Sequence, residues 1–332
     1  IGAAPAQERL PDERGGRRFP LIRQWSGYGA AAIAALIWAS YPVATRAGVT
    51  GSFEALDLML LRFGAGALIF LPYLALHFRT IQRDAWRRGV PLTLFQGAGM
   101  AALVICGLQF APANHAAALG PGVAPAWVAL LGFLVFSRRP SVRATVGAAL
   151  CALGVVALIA WSASVPNAAV LAGDAMFVAA SALGALYVLQ LRNWGIGAIQ
   201  GAAIVTVYSA LVVVPWYLWS ASGAFWQVAP LELLWQVLWQ GVLIGCIALA
   251  ALNHAIARLG PERSSALVAL VPVLGAILGL LFLREIPSSA EIAAILAISA
   301  GVSIGASRGY AGSPAASRAA PKRAACGLSR PG

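Results

Sequence analysis

A few polar and ring-bearing residues stand inside long apolar runs of this 332-residue chain, and any chemistry it does must involve them. Burying a polar group in hydrocarbon is costly unless it has a partner or lines a water-filled cavity. Trp38 and Tyr41 lie beside Pro42 in one run, and Tyr187 follows Tyr41 at an offset of 146 residues in another. Rings with a polar edge suit a cavity for an amphipathic solute, and equally suit core packing or an interfacial belt. Gln96 and Gln240 open two further runs, as cavity groups or as partners in interhelical hydrogen bonds. Pro125 and Pro272 interrupt two more. An interrupted helix leaves carbonyls free to coordinate a polar solute; a plain packing kink is the other reading.

Three basic residues are candidates for coupling to protons or anions. Arg62 lies about 10 Å inside its run by helix rise. It snorkels, pairs with Glu54 or Asp57, or faces a cavity and attracts a carboxylate. His115 and His254, each preceded by Asn, could relay protons, or could be satisfied histidines near helix ends. Asp174 reads as interfacial, and no carboxylate falls at the centre of any run. No set of His, Asp or Glu falls at facing depths as an intramembrane enzyme or a metal site would need, so no catalytic residue, metal or cofactor is expected. No G-x-x-x-x-G-K loop is present to draw on ATP. The four cysteines form no CxxC pair.

The elements that must position these residues follow from composition. The chain is 60% hydrophobic and 10% charged, with a mean hydropathy of +0.81, against about 25% charge in a soluble domain. Its formal charge of +12 invites a nucleic-acid reading, but the arginines are scattered through short loops between apolar runs, as membrane topology requires. Ten runs can each span a bilayer, at about 27–47, 55–77, 91–110, 114–136, 143–162, 171–191, 198–219, 232–252, 264–284 and 289–307. With both termini cytoplasmic, twenty of the 23 Lys and Arg fall on the cytoplasmic side, leaving Arg46, Arg62 and Arg284.

The halves match one another. At an offset of 147, Pro272 falls on Pro125, Gly279 on Gly132, and Gly301-Val302 on Gly154-Val155; at 146, Tyr187 and Arg192 fall on Tyr41 and Arg46. An internal repeat sets the architecture. A five-helix unit crosses an odd number of times, so its copy enters from the opposite side. The expected fold is an all-α polytopic membrane protein of ten transmembrane helices in two inverted five-helix repeats, 27–162 and 171–307. Basic cytoplasmic tails, 1–26 and 308–332, flank them and touch anionic lipid. The pair Gly301/Gly305 suits close helix approach, either within the chain or across a homodimer.

Ile37-Trp38-Ala39-Ser40, Arg62-Phe63, Pro125, Gly147 and Gly154-Val155 in the first half, with the stretch from Ala255 to Glu285 through Pro272-Val273, and Gly301-Val302, resemble the EamA-type members of the drug/metabolite transporter superfamily. The similarity covers about residues 28–306. It departs from the family pattern at Arg138, where the second half keeps Glu285, and at Ala126-Trp127 after Pro125. The resemblance implies a secondary transporter of the bacterial inner membrane that exports small metabolites, such as amino acids, or drugs by alternating access. The mostly neutral, aromatic interior suits a neutral or zwitterionic solute. A membrane scaffold or sensor without transport is the alternative.

Overall fold

The computed structural model describes residues 19–137, 139–164, 168–220, 224–259, 267 and 269–306, and all regular structure among them is helical. In hydrocarbon every backbone polar group must be satisfied within its own segment, so apolar runs of this length become helices. The first half comprises α1 (Phe19–Val49), α2 (Ala55–His77), α3 (Arg83–Gln96), α4 (Ala98–Phe110), α5 (Ala113–Leu119), α6 (Ala124–Leu134) and α7 (Val142–Ser164). The second comprises α8 (Ala168–Asn193), α9 (Ala198–Ser220), α10 (Pro230–Gln236), α11 (Ala248–Leu259), α12 (Val271–Leu278) and α13 (Ser289–Ala306). Two π-helical stretches, Val237–Ile247 and Gly279–Leu283, continue α10 and α12.

Eight helical spans are long and apolar enough to cross a membrane; α3 and α4 form one, α5 and α6 another, and α10 with its π-helical continuation a third. Two shorter apolar helices, Val271–Leu283 and Ser289–Gly305, complete the described set, where ten full spans were expected. The start of the expected ninth run, at 264–266, lies outside the described residues.

The breaks have local causes. Gly97 takes a conformation (φ −92°, ψ −130°) that ends α3 and begins α4. Ala111, held extended before Pro112, ends α4, because the residue before a proline is pushed out of the helical region. Of the two readings of Pro125 and Pro272, the structure has interrupted helices and not plain kinks, but neither proline stands at the break itself. Both sit in the first turn of a new segment, α6 and α12, where a missing N–H costs nothing. The interruptions lie upstream, at 120–123 and 269–270.

Those two interrupted helices touch. A Cβ on Gly122 would stand 3.0 Å from Pro272 Cγ, and one on Gly275 only 2.4 Å from Ala117 Cβ. On the other flank α7 and α13 lie backbone to backbone. A Cβ on Gly147 would meet the Gly301 carbonyl at 2.5 Å, and one on Gly301 the Gly147 carbonyl at 2.7 Å. Of the two uses read for Gly301, this is the internal one.

Alternation along the chain gives the molecule two ends. One, the tail end, holds the start of α1 and the end of α13. The other holds Arg46, Ala111–Ala113 and Glu285 and is called the clasp end. A core of buried residues, including Leu108, Leu119, Leu158, Phe177 and Ile298, fills the region under the clasp end. Another, including Leu74, Leu92, Ile204 and Val205, ties α2, α3 and α9 together near the tail end.

Candidate functional site

The second half of α1 is the hub. Pro42 lies inside the helix and has no N–H to return to the Trp38 carbonyl. Around it, side chains supply the extra bonds. Ser40 Oγ donates to the Ile37 carbonyl (2.9 Å) and accepts from Trp239 Nε1–H (3.1 Å). Thr45 Oγ1 donates to the Tyr41 carbonyl (2.8 Å) and accepts from Gln240 Nε2 (3.0 Å). Gln236 Nε2 donates to the Ala44 carbonyl (2.9 Å). Trp239 and Gln240 come from the π-helical stretch Val237–Ile247, and Gln236 lies one residue before it.

Arg62 approaches the same face of α1 from α2. Its guanidinium carbon lies 4.9 Å from the centre of the Tyr41 ring and 5.8 Å from that of Phe63. Such stacking stabilises a desolvated cation, but it neutralises no charge. The Asp57 carboxylate instead accepts the Glu54 backbone N–H in a capping box at the start of α2 (2.7 Å). Among the described residues Arg62 forms no ion pair, and its buried Nη1 has no hydrogen-bond partner. Gln240 Oε1 and Trp127 Nε1 are likewise buried and unpartnered. Such groups are rare in native interiors and mark a ligand, an ordered water or a function.

At the clasp end, Arg46 Nε bonds Glu285 Oε1 across the two halves. Arg46 Nη1 donates to the carbonyls of Leu108 (2.6 Å) and Ala111 (2.8 Å), which lie at the end of α4. The other Glu285 oxygen accepts the Ala113 N–H (2.8 Å), the first of α5. One residue from each half thus binds α1, α4, α5 and the end of the second π-helical stretch into a closed cap. Arg284, in the left-handed region at φ 57°, turns the chain so that Glu285 faces inward.

Beneath the clasp, His115 of α5 stands between two carboxylates. Its Nδ1 is 2.8 Å from Asp174 Oδ1 of α8, and its Nε2 is 2.6 Å from Glu291 Oε1 of α13. Ser162 Oγ of α7 donates to the remaining Asp174 oxygen (2.6 Å), and the Ser288 N–H to the remaining Glu291 oxygen (2.6 Å). The reading of Asp174 as interfacial is therefore corrected: it is wholly buried, as His115 nearly is. Its serine and histidine partners make that burial tolerable.

Of the residues singled out in the sequence, Arg62 stacks on Tyr41, and Gln240 binds α1 one turn along, at Thr45. Trp38 lies half-buried one turn away, packed on the small cluster of Ala35, Ala39 and Val271. Pro272 is buried on Gly122, whereas Pro125 is exposed. Gln96 ends α3, its Oε1 3.5 Å from where a Cβ on Gly184 would stand. Tyr187 lies apart from Tyr41, in the tail-end core beside Gly201. His254 is exposed near the tail end, 3.5 Å from Ser26 Oγ. Sequence reading missed Glu291, Thr45, Gln236 and the Arg46–Glu285 pairing. Only Glu291 left a local signal, the Ser288-x-x-Glu291 capping box.

Comparison with known proteins agrees with this architecture. The profile of the EamA-like transporter family matches residues 25–160 and again residues 171–305. The chain therefore belongs to that family, within the drug/metabolite transporter superfamily, and is a membrane transporter built from two repeats. Nine chains of solved structure match it. One, titled only "Crystal structure of protein", is 19% identical with a TM-score of 0.56, over 85% of this chain and 97% of its own, which is a likeness of fold. No curated protein matches the chain.

Proposed function

We propose that the chain is a secondary transporter that exports small zwitterionic metabolites, amino acids or close relatives, across a bacterial inner membrane by alternating access. In this reading ten spans form two inverted five-helix halves, 27–162 and 171–307. The basic tails and the tail end face the cytoplasm, and the clasp end faces outward. The observation that carries it is the pair of unpartnered groups on the α1 face. Arg62 offers buried N–H donors and a positive charge to a carboxylate, and Gln240 Oε1 offers an acceptor to an ammonium. The Tyr41 ring, already stacked on Arg62, supplies an apolar wall for the rest of the solute. Trp127, which departs from the family pattern, adds a second unpartnered N–H under the same core. An Arg–carboxylate bond made away from water is worth about 1.5–3 kcal/mol, enough to select for the anion.

Ligand-induced stabilisation tests this directly. Anything that binds only the folded state raises the unfolding temperature, and at 100 times Kd the gain is about 2.7 kcal/mol. Pools of amino acids should stabilise the purified wild-type protein, and decarboxylated amines of the same side chains should not. The gain should vanish in Arg62→Gln. Stabilisation by the amines, or unchanged stabilisation of Arg62→Gln, would contradict the assignment.

A further inference from the structure

The cluster under the clasp contains a proton that its geometry requires. Both ring nitrogens of His115 lie within 2.8 Å of carboxylate oxygens. Each contact needs one hydrogen between nitrogen and oxygen. A neutral imidazole carries only one N–H. With both carboxylates ionised, one contact would then set a nitrogen lone pair against an oxygen lone pair, which repel. The arrangement holds only with one further proton, which belongs on the imidazole, the most basic of the three groups. Loaded, the cluster bears a net −1; emptied, it bears −2 in a site with almost no water.

Its neighbours do not supply that charge. Among the described side chains the charged or titratable groups on the elements packed about the cluster are Tyr28, Tyr41 and Arg46 on α1, Cys106 on α4, Arg143 and Cys151 on α7, Asp174 and Tyr187 on α8, Arg284 and Glu285 beyond α12, and Glu291 on α13; Tyr28 is exposed near the tail end, and the cysteines are neutral thiols. Arg46 is engaged by Glu285 and two carbonyls, and Tyr187 lies in the tail-end core. Ser162 on α7 is a donor, not a charge. No group of three or more His, Cys, Asp or Glu among the described residues could hold a metal ion in its place.

From these contacts we infer that His115, Asp174 and Glu291 form a proton-binding site that keeps the clasp end closed while loaded and releases it when emptied. The mechanical link is α5. Ala113 N–H holds Glu285, and His115, two residues on, holds Glu291 at the start of α13. Loss of the proton breaks one of the two His115 contacts, frees α5 from α8 or α13, and loosens the Ala113–Glu285 bond. The side chains of His115 and Asp174 are 2% and 0% exposed and that of Glu291 11%, so the proton leaves through Glu291 to water at the clasp end. The response has a definite sign: acid on the clasp side closes, alkali opens. Coupling of this gate to solute flux rests on the transport function proposed above; the proton site itself does not.

Amide hydrogen exchange on the full chain in lipid nanodiscs, followed by mass spectrometry and corrected for intrinsic rates, tests the site without any solute. In the wild type, peptides over 108–116 and 284–292 should be protected at low pH and should lose at least tenfold of that protection as pH rises. Peptides over 83–97 should not change. Glu291→Gln removes the need for the extra proton: the amide donates to Nε2, Nδ1–H donates to Asp174, and the amide oxygen still caps α13. This variant should stay protected across the whole range. Glu291→Ala should be exposed throughout. Ring ¹⁵N shifts, with His77 and His254 replaced, should show a doubly protonated His115 in the closed wild type and a neutral ring in Glu291→Gln. Flat wild-type exchange, or a Glu291→Gln variant that keeps the wild-type pH response, would overturn the inference. Absence of solute stabilisation would instead count against the transport reading and leave the proton site standing.

Discussion

The clasp end and the tail end of this molecule are fastened by different means. The clasp end is joined through charge: an arginine from one half and a glutamate from the other, both about four-fifths buried, each with further hydrogen bonds to backbone. At the tail end, the ion pair among the described residues is Arg88–Asp84, 3.7 Å apart within one helix and largely in solvent. There Arg88 lies over the Trp194 ring at 5.5 Å. A groove of about 590 Å³ opens between α2, α3 and α9, lined by Leu74, Phe78, Arg79, Trp86 and Tyr208. The repeat explains part of the difference. In sequence, the positions that match Arg46 and Glu285 are Arg192 and Arg138, two cations where the clasp has opposite charges. One scaffold, duplicated, thus carries an opposite-charge pair at one end and two cations at the matching sequence positions.

The largest effect should come from breaking the clasp. Glu285→Ala leaves Arg46 buried without its counter-ion. Removing one partner of a buried pair costs about 3–5 kcal/mol, and the lower figure is expected where 19% and 18% of the side chains are exposed. Thermal unfolding should register the loss, and the paired change Arg46→Met/Glu285→Met should recover most of it. Recovery by neither side chain would mean that the charges do not act as a pair. Asp84→Ala should be the weakest, within about 0.5 kcal/mol of wild type, because its pair is exposed. A cost above 1 kcal/mol would show that the tail end is fastened by charge after all.

What the sequence made legible was whatever depends on composition and period. Apolar runs in a chain with 10% charge have to be helices, and the recurrence of proline and glycine at one offset marked the two repeats. Depth and pairing were not legible. Arg46 and Glu285 are 239 residues apart, and no local pattern links them. Asp174 looked interfacial because it lies near a helix start; Ser162 and His115, each from another helix, bury it. Pro272 looked like the midpoint of an interrupted helix because the apolar run continues through it, whereas the new helix begins one residue earlier, at Val271. Arg62 was visible as an exception, but only the structure excluded Asp57 as its partner.

The most direct test of the account is counterflow. Wild-type protein in liposomes preloaded with a pool of amino acids should accumulate trace labelled amino acid, and Arg62→Gln, at equal folded protein, should do so about tenfold to a hundredfold more slowly. Equal counterflow by both proteins would contradict the placing of the carboxylate on Arg62. No counterflow by the wild type with any pool would contradict the proposed amino-acid exporter itself.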